Sequence, residues 1–552
     1  VSSEKRVAAT EVAGTKSTVA HRPQGARLSA QRAIGTAALI LMGANLSASA
    51  FGYVRQLVTG AVFGSQRTTD AWFAASIIPQ MFYDLTIGAA VSAALIPTFT
   101  EIYEKQGREA LARVSGSILA LAFIVLAVLT AALVLLADPI MSLILSGSSA
   151  CTNTAGTADA VRIVRVLLPT LFFLGSSAVL LSTLYAVRRF TVSAFAPGLY
   201  HAGIIAGALV LARPFGILAL PVGAVAGAAA QASIQVPGIL RWVGRPYLRP
   251  HLSPEVRKIL RLYAPVAAGL VVSIVGQVID IGFKWKLSCG GVTSMTFATT
   301  LTQFPIGIAV AGLSFAILPS ISADVAFGRV REFKETLAAG MRVVLFLTVP
   351  AAIGCLVLAT PIATLLFHHG RFGPQGTADT ATALTGYAFQ IPFVGIDQLL
   401  IFAFYARKNT VTPMFIGIVG VCIYVVSALI LLPTAHIFGL ALANTLQNSL
   451  HAIILFGLLL GAIGMLRNTG LLRGVGKTLV AAALMTVLIW ALYVSLGHVL
   501  PSGRRLTSAI EVAVPVLAGA VLYLGVAALL RSEELQLLLD TLRRPFARSR
   551  SG

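Results

Sequence analysis

The stretch Asp70–Glu101, DAWFAASIIPQMFYDLTIGAAVSAALIPTFTE, decides how the rest of the chain is read. It is long enough to cross a bilayer as a helix, for which about 20 apolar residues suffice. Yet Asp84 sits at its middle, Pro79 and Pro97 interrupt it, and Gly88 opens a run of small residues. A carboxylate at mid-membrane costs roughly 2.5–3.5 kcal/mol on insertion scales, so it should face water or protein rather than lipid. Proline removes a backbone donor and bends the helix, which is tolerated where a neighbour or a cavity satisfies the freed groups. Two readings fit: a bent helix lining a wet cavity between helix bundles, or a tightly packed helix with an incidental Asp. The polar midpoint and the small-residue face favour the first.

The same pattern returns. Ser92, Ala94 and Pro97 recur as Ser314, Ala316 and Pro319, 222 residues on. Leu184-Tyr185-Ala186, followed by Arg188, Arg189 and Thr191, is echoed by Phe404-Tyr405-Ala406 with Arg407, Lys408 and Thr410, at an offset of 220. Two echoes at nearly one offset indicate an internal repeat.

Working outward, 57% of the 552 residues are apolar and only 11% are charged. Soluble domains carry about 25% charged residues, so the composition is that of an all-α polytopic membrane protein. The net charge of +21 does not indicate a nucleic-acid partner, because the basic residues fall in short breaks between apolar runs. Fourteen apolar segments are countable, at about 34–62, 69–100, 114–138, 160–186, 191–212, 217–240, 262–286, 292–322, 337–360, 382–406, 411–432, 436–464, 475–496 and 507–530. Each must satisfy its own backbone in lipid and is expected to be helical. Arg27 and Arg32 before ALILMGANL, with Ala48-Ser49-Ala50 beyond, imitate a secretory signal, but a long series of further spans comes after it.

Lys and Arg counted on alternate sides orient the spans. With the N-terminus inside, 31 of the 41 lie on the cytoplasmic side and seven outside. Both termini are therefore expected to be cytoplasmic. A displacement of six spans preserves orientation, so the expected plan is two parallel six-helix repeats, 34–240 and 262–464, around a central cavity. Around them lie a basic tail (1–33), a basic linker (241–261), two additional helices (475–530) and a second basic tail (531–552). The linker and tails should rest on anionic lipid headgroups. Two like bundles facing a cavity form a frame for alternating access, hence a transporter.

Particular residues then carry a resemblance. Gly52-Tyr53-Val54-Arg55, Phe63-Gly64 followed by Thr69-Asp70-Ala71, and Gly88 to Pro97 lie in the first half. With them go Leu168-Pro169 through Tyr185-Ala186, Phe304-Pro305-Ile306-Gly307 through Pro319, Leu366-Phe367 with Gly370-Arg371-Phe372, and Phe404 to Arg407 with Thr410 and Pro413. Over about 33–530 the chain resembles the MurJ/MviN family, lipid II flippases of bacterial peptidoglycan synthesis within the multidrug/oligosaccharidyl-lipid/polysaccharide exporter superfamily. The resemblance implies movement of an undecaprenyl-pyrophosphate-linked sugar-peptide from the inner to the outer leaflet of the bacterial cytoplasmic membrane. It also implies that Arg55 is a cavity arginine, Asp70 a characteristic acidic position, and the last two helices a groove for the lipid tail. Arginine suits a pyrophosphate by its bidentate fork; the bland reading of Arg55 is a snorkelling residue near a helix end. The chain departs from the family pattern at Ser49, Tyr83 and Thr300, where arginines are usual, near Gly88, where a carboxylate is usual, and at Gln56, where the residue is acidic. Its expected substrate-binding set is Arg55, Asp70, Asp84, Tyr83, Ser49, Thr300 and Gln303.

Asp280 and Asp397 are intramembrane carboxylates and candidates for coupling transport to Na⁺ or H⁺; Asp280 is equally readable as a partner of Lys284, one turn along. Asn444, Gln447, Asn448 and His451 form a polar stripe that lines a cavity or joins helices. Adjacent His368 and His369 lack an i, i+4 partner, so no metal site is expected. Cys151 and Cys289 fall on the outer side, where a disulfide is permitted. No nucleophile–base set or P-loop appears, so no enzyme activity is expected. The alternatives to a flippase are a drug or cation antiporter on the same scaffold and a non-transporting cell-envelope scaffold, partnered by the cell-wall synthesis machinery.

Overall fold

In the computed structural model the described residues are 24–83, 95–146, 151, 155–499, 505–537 and 539. The expected small-residue run 84–94, with Asp84, and most of both basic tails lie outside them. Among the described residues there are α-helices and one short 3-10 turn, and no strand.

The helices of the first half are α1 (Gln24–Phe63), α2 (Arg67–Tyr83), α3 (Ile96–Leu135), α4 (Ala137–Ile144), α5 (Ala155–Leu167), α6 (Thr170–Ala186), α7 (Thr191–Val210), α8 (Ala212–Phe215), α9 (Ala219–Ser233) and α10 (Val236–Trp242). The second half holds α11 (Pro254–Trp285), α12 (Gly291–Ala326), α13 (Val330–Val357), α14 (Ala359–Phe367), α15 (Pro374–Ala388), α16 (Ile391–Ala406) and α17 (Val411–Ile463). Two more complete the chain, α18 (Leu471–Val499) and α19 (Arg505–Leu529). Within their described parts, the apolar segments fall on these helices. Among the described residues, eight helical stretches are long and apolar enough to cross a membrane alone, and the bent pair α15–α16 makes a ninth.

Breaks occur where the sequence has turn chemistry. Gly107 (φ 80°) divides α3, and His436 (φ 47°) divides α17 three residues after Pro433. Pro392, at the start of α16, marks a 48° bend from α15. Ser253 caps α11 with its hydroxyl accepting from the Val256 N–H, and Pro254 comes next at the first turn, where its missing donor costs nothing.

Lipid offers helices no hydrophobic drive to associate, so close approach by small residues matters. The tightest example is α7 on α9. A Cβ at Gly203 would stand 2.5 Å from the Gly227 Cα, and one at Gly223 only 2.4 Å from the Gly203 carbonyl oxygen. In the first half α7 also packs on α1, α3 on α6, and α2 on α5. In the second, α12 packs on α13, α15 and α16, and α16 on α17. The appended pair lies against α13 and α14, with the Tyr523 hydroxyl donating to the Phe346 carbonyl at 2.8 Å.

The repeat seen in the sequence has a backbone counterpart. After α6, Arg188 turns left-handed (φ 61°), its N–H bonding Tyr185 O while Arg189 N–H bonds Leu184 O. After α16, Lys408 does the same (φ 59°), with Lys408 N–H to Tyr405 O and Asn409 N–H to Phe404 O. These are one helix-ending motif used twice, 220 residues apart.

Candidate functional site

The two halves meet at one end through a dense polar and aromatic joint. Asp70, in the first turn of α2, is fully buried. It accepts from the Gly290 N–H at 2.7 Å, the Thr293 N–H at 2.9 Å and the Thr293 hydroxyl at 2.8 Å. Gly290 is the left-handed N-cap of α12 (φ 89°), so the carboxylate of one half caps a helix of the other. The orphan N–H groups and the positive end of the helix dipole both favour an anion there.

Around this clamp, Arg67 lies flat over the Trp285 ring at 3.4 Å and donates to the Trp285 carbonyl at 3.1 Å. The Ser65 hydroxyl donates to Gly290 O at 3.0 Å and meets the Ser294 hydroxyl at 3.2 Å. The Arg371 N–H donates to Ala61 O at 2.8 Å. This last approach needs glycine: a Cβ at Gly370 (φ 62°) would sit 2.1 Å from Ala61 O, and one at Gly64 (φ 74°) 2.4 Å from Arg371 O. Phe297 stacks on Phe367 and Phe372, and Phe73 from the first half meets its edge. Finally, Cys151 and Cys289 form a disulfide across the halves, with Cα atoms 5.0 Å apart.

Deeper along α1 and α12, the Tyr53 hydroxyl donates to Thr300 O at 2.9 Å, and Gln56 Nε2 reaches the Thr300 hydroxyl at 3.4 Å. Ser49 and Gln303 are exposed on these same two helices. Among the described residues the link at the opposite end is lighter. There Glu101 on α3 pairs with Lys258 at the start of α11 at 2.9 Å, and with Lys105. Those two ammonium groups hold the Glu101 carboxyl down at about 2. We call the two ends the sealed and the light end.

Among the described residues, a cavity of about 780 Å³ is lined by residues of α11, α16 and α17, with Asp280, Asp397, Tyr424, Asn444, Gln447 and His451 on its wall. A smaller one of about 160 Å³ lies in the first half beside Tyr200, His201 and Gln231. Arg55 stands within electrostatic reach of Tyr200 and His201 on α7.

The described ionisable groups expected to line one chamber stand at three places: Arg55 in the first half, Asp280 and Asp397 in the second-half cavity, and Asp70 at the joint. Asp70 faces no open space, because its oxygens are spent on α12; here it fastens the halves rather than meeting a ligand. Asp280 pairs with Lys284 at 2.6 Å, as the i, i+4 spacing allows, and also accepts from the Tyr424 hydroxyl at 2.7 Å. Asp397 pairs with His451 at 2.7 Å. The stripe on α17 serves both readings offered for it: it lines the cavity, and Asn448 donates to Gln390 on the neighbouring helix. Asp84 and the Tyr83 side chain lie outside the described part. Arg67, Ser65 and Tyr424 carry contacts that the sequence did not single out. Arg67 was legible only as an outer-side charge, because its partner Trp285 is 218 residues away. Among the described residues no cluster of three or more His, Cys, Asp or Glu is placed to hold a metal.

The family model described as lipid II flippase MurJ matches residues 60–500, most of the chain. The chain belongs to the MurJ family. A curated relative from Bdellovibrio bacteriovorus, a probable lipid II flippase MurJ, is 27% identical over 521 residues, covering 94% of this chain and 98% of the relative. One from Burkholderia cenocepacia, lipid II flippase MurJ, is 26% identical over 464 residues, covering 81% and 89%. Among solved structures, lipid II flippase MurJ in an inward closed conformation superposes with a TM-score of 0.74 at 20% identity, covering 89% of this chain and 98% of the other. An inward-facing multidrug resistance MATE family transporter gives 0.66 at 14% identity over 78% and 99%. An outward-facing structure from that family gives 0.55.

Proposed function

We propose that this MurJ-family protein carries lipid II, or a closely related polyprenyl-pyrophosphate-linked glycan, from the inner to the outer leaflet of a bacterial cytoplasmic membrane by alternating access. The match to the lipid II flippase family over 60–500 carries the reading. The sealed end supports it, since an alternating-access frame must close one end before the other admits cargo made on the cytoplasmic side. The excess of Lys and Arg in the light-end segments supports a cytoplasmic position for that end and for both termini, with the sealed end outside. The disulfide between Cys151 and Cys289 agrees with an outer position, where oxidation persists.

In this account Arg55 meets the pyrophosphate as it enters, Ser49 and Gln303 line the path, and α18–α19 take the polyprenyl tail. The ion that resets the cycle binds in the second-half cavity at Asp280 or Asp397. Expression in a bacterium depleted of its own lipid II flippase tests the reading. Growth and normal cell shape should be restored by the wild type, and colony counts should fall at least tenfold for Arg55→Ala at equal membrane abundance. A well-folded wild type that fails to rescue contradicts it and favours an antiporter or a non-transporting scaffold.

A further inference from the structure

The second-half cavity holds two carboxylates, and the chain equips them differently. Both oxygens of Asp280 are taken, Oδ2 by the Lys284 ammonium at 2.6 Å and Oδ1 by the Tyr424 hydroxyl at 2.7 Å. Lys284 is only 11% exposed and tethered one turn away, and it also meets Tyr387. A metal cation would have to displace an ammonium that cannot leave. Asp280 is a filled charge pair.

Asp397 is partnered by a group that can change its charge. Its Oδ1 lies 2.7 Å from His451 Nδ1, with both side chains about 15% exposed to the cavity. The imidazole also bonds the backbone carbonyl of Pro413, in the first turn of α17, and a carbonyl only accepts. With acceptors on both contacts, the charged ring satisfies both through its two N–H groups. Loss of one proton leaves a single N–H for two acceptors, so a nitrogen lone pair then faces either the Asp397 carboxylate or the Pro413 carbonyl in a poorly solvated site. Such a contact is repulsive and cannot persist. Relief requires the ring, α16 or the start of α17 to move.

We propose that His451 and Asp397 form a proton-binding site, and that the ion coupled to transport is a proton rather than a metal cation. The proposal rests on the reading of the chain as an alternating-access flippase and names the ion that drives it. The described titratable groups around the pair are Asp280 with Lys284 on α11, Tyr405 on α16, Tyr424 on α17, and Tyr387 on α15 beyond the lysine. The Asp–Lys pair cancels its own charge. Tyrosines ordinarily titrate near pH 10, whereas histidine is the side chain whose ordinary charge change falls near neutrality, so His451 is the group in this cavity suited to proton exchange. Gln277, Asn444 and Gln447 give water a polar approach to it. The left-handed joint at Lys408 connects α16 to α17, so a shift of either helix reaches the light end.

The test uses spin labels at Arg188→Cys and Lys408→Cys, the two matching helix ends, in the full chain carrying Cys355→Ser and Cys422→Ser. The protein is held in lipid nanodiscs, and the label distance is followed from pH 5 to 8.5 in NaCl and in choline chloride of equal strength. The proposal expects the distance distribution to shift with pH, with one midpoint in both salts. It expects the shift to vanish in His451→Gln and, as a second variant should that one fold poorly, in Asp397→Asn. Infrared difference spectra should show a pH-dependent carboxyl or carboxylate band that Asp397→Asn removes. A distance that follows Na⁺ at fixed pH, a pH response intact in both variants, or no pH response in the wild type overturns the proposal. Rescue of flippase-depleted cells is scored separately. Rescue without a pH response sinks the proton site alone, and a pH response without rescue sinks the flippase reading alone.

Discussion

At Asp70 three donors from α12 converge on one buried carboxylate, and the end of the α12 dipole adds to their pull. Asp70→Asn keeps the shape but replaces one acceptor oxygen with an NH₂ that faces other donors. Buried hydrogen bonds to a charged group contribute about 1.5–3 kcal/mol each, and a stranded donor costs a similar amount, so the sealed arrangement should lose about 2–4 kcal/mol. That is large enough to read as access. Modification of a Ser65→Cys probe by a membrane-impermeant maleimide should run at least tenfold faster beside Asp70→Asn than beside Asp70. An unchanged rate would show that the clamp does not hold this end shut. The sequence marks Asp70 as unusual but not its task, because its partners lie about 220 residues away and two of the three are backbone N–H groups that any residue could supply. The pairing of Asp397 with His451 was hidden for a similar reason. Each stands out alone, yet only the folding of α17 back against α16 brings them together. Asp280 with Lys284 was legible because helical spacing alone makes them neighbours.

Among the elements, length and apolar content were enough to find the helices, since lipid permits nothing else to a spanning backbone. The joints were less visible. Gly107 and Pro392 announce a break, but the left-handed turn at His436 comes three residues after the proline that signals it. The repeated helix end at Arg188 and Lys408 was present in the sequence as a short echo, and the backbone turns that echo into a shared structure. The disulfide belongs to this scale because it joins the α4–α5 connection to the α11–α12 turn. A disulfide keeps its Cα atoms within about 6.8 Å, so any opening at the sealed end must pivot on this bond while it is intact. Spin labels at Gln66→Cys and Gln375→Cys, both exposed at that end, read the consequence. Mild phosphine reduction in wild-type protein, or the Cys151→Ser, Cys289→Ser pair, should broaden the label distance toward longer values. A distribution that is the same with and without the bond would show that the bond does not limit opening.

For the whole molecule, an all-helical membrane protein with a repeated helix end was legible from the apolar segments and the repeat offset. The grouping of its ionisable residues was not. A sequence lists ionisable groups within spans but not which half encloses them. The structure gives Arg55 to the first half, Asp280 and Asp397 to the second, and Asp70 to the joint between. The family's cargo-carrying cycle then becomes a matter of breaking one joint and making another, with the sealed end opening only after the light end has closed. The most direct measurement is the leaflet position of lipid II in liposomes that contain the purified full-length protein. With lipid II confined at the start to one leaflet, wild-type protein should bring it to the other, where an externally added lipid II-modifying enzyme acts on it. Arg55→Ala should slow that exposure at least tenfold. Exposure no faster than in protein-free liposomes, from protein whose cysteine bridge and helices are intact, would contradict the account.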